Sequence, residues 1–217
     1  MELLKQIVTP AIGIAISPLP IVGLIVILLG NQAKKNSFYY SIGWLLGNVT
    51  VFTIGLVFMG SVASGKKEPG GIEKIVYATL GCFLLYVSVK TFIKSFNKKE
   101  INTPKWFEKL TTLDTRKSLL FSILLSAANP KNLLLALSAG AATGAVTQGI
   151  KEDVLAIIIF SIFATFTIVF PTILFFIYGN QIKPSLNKLK EWLILNNDSI
   201  TAVIFLFIGI KIIGKIF

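Results

Sequence analysis

Residues 7–29 contain no charged side chain. A helix needs about 20 mostly apolar residues to cross ~30 Å of hydrocarbon. In that medium the backbone polar groups must pair internally, so such a run is a helix or nothing. Five more stretches read the same way: 37–61, 75–96, 118–146, 154–182 and 199–217. The second and fifth are uncharged, and the fourth holds one charge, Lys131. The third and sixth carry Lys90, Lys94, Lys211 and Lys215 only in their last turns. The sequence therefore predicts an all-α integral membrane protein with six transmembrane helices. The first stretch is too long for a signal-peptide core, two prolines sit in its middle and no small-residue cleavage site follows, so it is expected to be retained.

Composition closes the alternatives. Hydrophobic residues make up 54% of the 217 and charged residues 14%, against ~25% charged in an ordinary soluble domain. Disorder and a long coiled coil fail on the same arithmetic. The chain has no His and a single Cys, Cys82. Neither a metal site, a resident cofactor nor a dithiol shuttle is expected, and no nucleophile–base pair marks an enzyme. The net charge of +11 reads as contact with anionic lipid headgroups rather than with nucleic acid.

Six spans put both termini on one side. The connections after spans one, three and five carry Lys34, Lys35, Lys94, Lys98, Lys99, Lys105, Lys109, Arg116, Lys117, Lys183, Lys188 and Lys190. The opposite side carries Lys5, Lys66, Lys67, Lys74, Lys151 and Lys215. The excess of Lys and Arg places the first set in the cytoplasm and both termini outside the cell membrane. The organisation expected is a three-helix repeat over 1–96, a cytoplasmic basic linker over 97–117, and a second three-helix repeat over 118–217. Within the linker, residues 104–110 fit either a surface helix on the inner leaflet or a plain connector. Trp192, in 188–195, invites the same pair of readings.

Three spans followed by three is the arrangement of an inverted repeat, because an odd number of crossings turns the second half over. The ends of spans three and six align, with Leu85, Lys90, Lys94 and Phe96 meeting Leu206, Lys211, Lys215 and Phe217. A second correspondence bears on function. Span one holds Ser17-Pro18-Leu19-Pro20 near its middle, and span four holds Asn129-Pro130-Lys131-Asn132. Proline removes a backbone donor and clashes with the preceding turn. Both helices should break there, and the freed carbonyls must face protein or a polar cavity. Broken helices at matching places in two halves point to a transporter's binding site. Pro171 in span five reads as a simple kink.

Lys131 lies about fourteen residues into span four, where a lysine costs ~2.5–3.5 kcal/mol to insert. No Asp or Glu falls inside any span. Its expected partners are freed carbonyls, the Asn129 and Asn132 amides, water or an anionic substrate. Asn48 is either a substrate contact or glue between helices. Ser17 either touches substrate or caps a half-helix. Lys90 and Lys211 are expected to snorkel to the interface. Trp44 and Gly47 suggest close helix packing. The candidate substrate-binding set is thus Ser17, Pro18, Pro20, Asn48, Asn129, Pro130, Lys131 and Asn132.

The motifs Ile16-Ser17-Pro18-Leu19-Pro20-Ile21, Ile42-Gly43-Trp44-Leu45-Leu46-Gly47-Asn48 and Ala128-Asn129-Pro130-Lys131-Asn132-Leu133-Leu134-Leu135-Ala136 carry a family resemblance. The chain resembles the six-span proteins of the lysine exporter superfamily, and within it the glycopeptidolipid-addressing (GAP, or sulfolipid-1-addressing) proteins. That resemblance implies an exporter of two three-helix repeats, linked to moving glycolipids to the cell surface. The lone Cys82 departs from relatives that carry electrons through paired cysteines, and the absence of His departs from metal exporters. The leading expectation is a transporter of an anionic or glycosylated lipid. The alternatives are an exporter of an amino acid or similar small metabolite, and a non-transporting assembly subunit. Membrane lipids are expected partners, and a homodimer is a reasonable way to complete a pathway.

Overall fold

A computed structural model describes residues 2–59, 71–96 and 110–214. The glycine-rich stretch 60–70, residues 97–109 of the basic linker and Lys215 lie outside the described residues, as does the Lys211 side chain. Every regular element among the described residues is helical. In chain order they are α1 (Glu2–Ala15), α2 (Pro18–Leu29), α3 (Ala33–Ile54), α4 (Gly71–Phe96), α5 (Thr115–Ala127), α6 (Pro130–Gly144), α7 (Ile150–Tyr178) and α8 (Lys183–Ile213). A π turn, Gly55–Met59, extends α3, and a 3-10 turn, Gly179–Ile182, joins α7 to α8.

Two continuous helical stretches, Ala33–Phe58 and Ile150–Ile210, are long and apolar enough to cross a membrane. The second spans 61 residues, roughly 90 Å if straight, which is far more than one crossing requires. Gly179 interrupts it with φ at 59°, a left-handed conformation that glycine adopts without steric cost. Two further pairs pass the same test together but are bent: residues 6–15 with α2 by 50°, and α5 with α6 by 65°. Among the described residues of the chain, then, two helices are long and apolar enough to cross a membrane, or up to four with each bent pair taken as one. It is a membrane protein on this count.

The helix α8 begins at Lys183 and runs unbroken to Ile213, whereas hydropathy alone predicts a span starting near Ser199. No Pro or Gly occurs between Ser185 and Ser199, so nothing local stops the helix. Trp192 therefore lies within a long helix rather than in a connector.

Contacts divide the chain into two units, residues 1–65 with 103–190 and residues 66–102 with 191–217. In the first unit α2 is the central helix. Ten of its twelve residues are buried, Leu19 and Leu29 excepted. A helix apolar all round belongs inside the protein. By contrast α7 buries Phe160, Ala164 and Ile168 and turns Ile158, Ile162, Phe166 and Ile173 outward. Its outer face is as apolar as its inner one, which is what lipid contact demands and water would not tolerate.

Because lipid tails are as apolar as Leu, helices in a bilayer are held by close packing and hydrogen bonds rather than by expulsion of water. The α3–α5 contact is the most extensive in the unit and shows how. Gly43 and Gly47, one turn apart, face Ser122 and Ser126, and a Cβ on either glycine would collide with the serine Oγ opposite. Each serine hydroxyl is satisfied within its own helix, Ser122 by the Leu119 carbonyl at 2.8 Å and Ser126 by that of Ile123 at 3.0 Å. Beside this seam Trp44 is buried and donates its Nε1–H to the Ala164 carbonyl at 3.2 Å. The close packing expected at Trp44 and Gly47 is present.

In the second unit α4 and the C-terminal part of α8 pair antiparallel. Ser88 donates to the Ala202 carbonyl at 2.8 Å, Gly209 abuts Leu85, and Lys94 lies 3.7 Å from the Asp198 carboxylate. Lys90 is exposed, with its ammonium 6.0 Å from the Tyr86 ring centre.

Candidate functional site at the two helix breaks

The breaks fall where the prolines predict. A residue preceding proline is pushed out of the α region into extended backbone. Ser17 sits at φ −67°, ψ 114°, and Asn129 at φ −69°, ψ 117°. The two breaks therefore share one local geometry, with a polar residue at the N-cap and Pro18 or Pro130 opening the next helix. Proline is well placed there, since the first helical N–H has no partner in the helix anyway.

Breaking a helix in hydrocarbon leaves carbonyls that cost several kcal/mol each if unpaired. The protein pairs them. The Ile14 carbonyl accepts from Ser17 N at 3.1 Å, and the Ala15 carbonyl accepts from Thr167 Oγ1 at 2.6 Å. The Pro20 carbonyl, already inside α2 and so not one the break frees, accepts an additional bond from the buried Tyr40 hydroxyl at 2.8 Å. At the second break the Leu125 carbonyl accepts from Asn132 Nδ2 at 3.4 Å.

The two breaks meet. Lys131 Nζ donates to Ser17 Oγ at 2.8 Å, and Ser17 Oγ donates to Asn132 Oδ1 at 3.2 Å. Ser17 is buried and Asn132 fully so, while Lys131 is half-buried. One serine hydroxyl thus bridges residues more than a hundred positions away. Its side chain does not cap α2. Asn129 does the capping at its own break, accepting from Lys131 N at 3.1 Å. Asn48 is completely buried and donates to the Trp44 carbonyl at 2.9 Å within its own helix. Among the described residues its Oδ1 accepts no hydrogen bond, from Lys131 or any other donor.

Of the candidate residues, the structure brings Ser17, Lys131 and Asn132 together directly. Asn129, Pro18 and Pro130 shape the breaks, and Pro20 supplies a carbonyl to Tyr40. Tyr40 and Thr167 were not legible as site residues. A hydroxyl inside an apolar helix marks a possible donor but does not say which carbonyl it meets.

The electrostatics of the cluster are one-sided. Both α2 and α6 begin at it, and a helix N-terminus carries a partial positive charge of about half a unit. Lys131 is the second residue of α6, where a cation opposes the helix dipole. No carboxylate among the described residues lies within ion-pair distance of it. Such a place suits an anionic group facing the ammonium and the positive ends of the two helices, although the prolines carry no N–H, Lys131 N is taken by Asn129 Oδ1 and the Ser17 proton by Asn132 Oδ1.

Comparison with curated proteins and with solved structures gave no match. The model of one family, described as Sap, sulfolipid-1-addressing protein, matches residues 7–215. With its motifs at the two breaks and a match over almost its whole length, the chain belongs to the sulfolipid-1-addressing protein family.

Proposed function

We propose that this protein moves an anionic or glycosylated lipid across the cytoplasmic membrane. The observation that carries the reading is the Lys131–Ser17–Asn132 cluster, where two broken helices present their N-termini and an ammonium with no carboxylate partner among the described residues to one place. The family's lipid-related role supports it. Lys131 neutralises a phosphate or sulfate headgroup, Ser17 and Asn132 hydrogen-bond it, and the acyl chains stay in the bilayer. The protein acts as a carrier and not as an enzyme.

In this reading the chain makes six crossings in two inverted repeats, with both termini outside. The shared geometry of the breaks favours that arrangement. So does an exchange of partners, since α3 packs on α5 while α7 packs on α1. Each half's second span thus lies against the first half-helix of the other half. Alternating access then rocks one repeat against the other about the fixed cluster.

The test is transport of a fluorescent anionic lipid between leaflets of proteoliposomes, with wild type and Lys131→Ala reconstituted at equal density. We expect the variant to insert normally and to lose most of the flux. Equal flux in the two proteins would sink the proposal. Flux of a soluble metabolite without lipid movement would favour a small-molecule exporter instead.

A further inference from the structure

We infer that the protein holds a second, peripheral site for an anionic bilayer lipid, formed where the α2–α3 connection meets the α7–α8 connection. It stands apart from the helix breaks and holds whether or not Lys131 moves a substrate.

The headgroup part is a cleft of about 720 Å³, within the ~300–1,000 Å³ usual for small-ligand sites. Lys34, Lys35 and Lys183 line it together with the amides of Asn31, Gln32 and Asn180. No acidic residue lines it, and none of the three lysines is ion-paired among the described residues. Three cations around one cavity repel one another unless an anion sits between them. The 22-residue helix α3 also starts in this cleft, and Gln32 at its N-cap makes no side-chain cap. Its first N–H groups are left for a ligand.

The tail part is a groove of about 420 Å³ whose lining exposes no polar surface. Phe38, Ile42 and Leu45 of α3 form one wall, and Ile173, Phe176 and Ile177 of α7 form the other. The polar groups at its floor are consumed internally, because Ser41 and Thr172 hydrogen-bond each other at 3.0 Å. From Phe38 to Leu45 the groove follows α3 for roughly 10 Å, enough for part of one acyl chain.

The two parts adjoin. Phe175 lines the cleft and Phe176 the groove. The Lys34 ammonium lies 5.8 Å from the Phe176 ring centre, within cation–π range. Cations at one end and an oily channel at the other match a single-headed amphiphile. A free anion would use only the cleft, and a neutral lipid only the groove. The occupant is therefore a lipid with a phosphate or sulfate headgroup, taken from the leaflet on the side of these two connections.

Native mass spectrometry of the full chain, gently extracted and supplied with phosphatidylglycerol or phosphatidylcholine, tests this. Wild type should retain phosphatidylglycerol in preference to phosphatidylcholine. The triple variant K34Q/K35Q/K183Q should bind it roughly 100-fold more weakly, as expected for three lysines near the headgroup plane. Ile173→Trp, which fills the groove and leaves the lysines in place, should also lose the adduct. Lys131→Ala should keep it. Should the triple variant misfold, Lys183→Gln alone must still weaken binding. Equal retention of the two lipids would overturn the inference. So would an unchanged adduct in Ile173→Trp, which indicates a bare anion site displaced by inorganic phosphate. Loss of the adduct in Lys131→Ala would assign the lipid to the helix breaks and overturn it as well.

Discussion

Ser17 and Lys131 lie 114 positions apart in sequence and 2.8 Å apart in space, so their coupling can be measured directly. Ser17→Ala removes an acceptor for an ammonium and a donor to Asn132 Oδ1, and both groups are then left short of a partner. A hydrogen bond to a charged group contributes about 1.5–3 kcal/mol. In membranes such bonds measure less, with an average of ~0.6 and a ceiling near 1.7 kcal/mol, because the reference state also finds partners. The half-buried ammonium and the buried hydroxyl argue for the upper end, about 1–1.5 kcal/mol. Lys131→Met keeps most of the stem and removes the charge. The assay is a double-mutant cycle in equilibrium unfolding, titrating denaturing detergent against mixed micelles and following helix content. The interaction energy should be about 1 kcal/mol, so the double variant is destabilised by less than the sum of the singles. A coupling within ~0.3 kcal/mol of zero is what independent sites give. That result would mean the two breaks do not meet through these side chains, and the substrate reading would lose its geometry.

Other perturbations follow from the same contacts. Gly43→Ala and Gly47→Ala force a methyl into Ser122 and Ser126 and should cost about 1–3 kcal/mol in the same unfolding assay. Gly149→Ala is the control, since nothing lies within 4 Å of the added carbon. Tyr40→Phe removes the hydroxyl bond to the Pro20 carbonyl and should destabilise by about 0.5–1.5 kcal/mol with no change in expression. Asp114, at the exposed N-cap of α5, accepts from Lys117 N at 2.8 Å. That bond and the Lys117 charge hold its carboxyl below the ordinary value of 3.8. The cap is therefore fully present above pH 3.8 and lost as pH falls through the lowered value. Asp114→Asn, which can still cap, should flatten that acid limb when stability is followed against pH.

Much of the architecture is local and was legible. An uncharged run of some twenty residues has only one conformation open to it in hydrocarbon, so the apolar helices and the membrane follow from hydropathy. The breaks at Ser17 and Asn129 follow from a steric rule between a proline ring and the residue before it, which acts over one peptide bond. The functional weight placed on Lys131 follows from the energy of a deep charge with no acid in any span. Helix length was less legible. Hydropathy ends where lipid ends, but backbone hydrogen bonding does not, so α8 runs on through the polar residues that follow Lys183.

What only the tertiary structure decided is partnership. That Ser17 receives the Lys131 ammonium, that Tyr40 serves the Pro20 carbonyl, and that Thr167 serves that of Ala15 are outcomes of how helices pack. The same holds for the cleft, where lysines from two distant connections converge on one cavity. Sequence distance carries no information about such pairs. A hydrogen bond needs its atoms within about 3 Å, and that spacing is set by the small-residue seams that let one backbone approach another. The sequence by itself determines which groups are left wanting a partner, and the packing of the helices determines which partner each one finds.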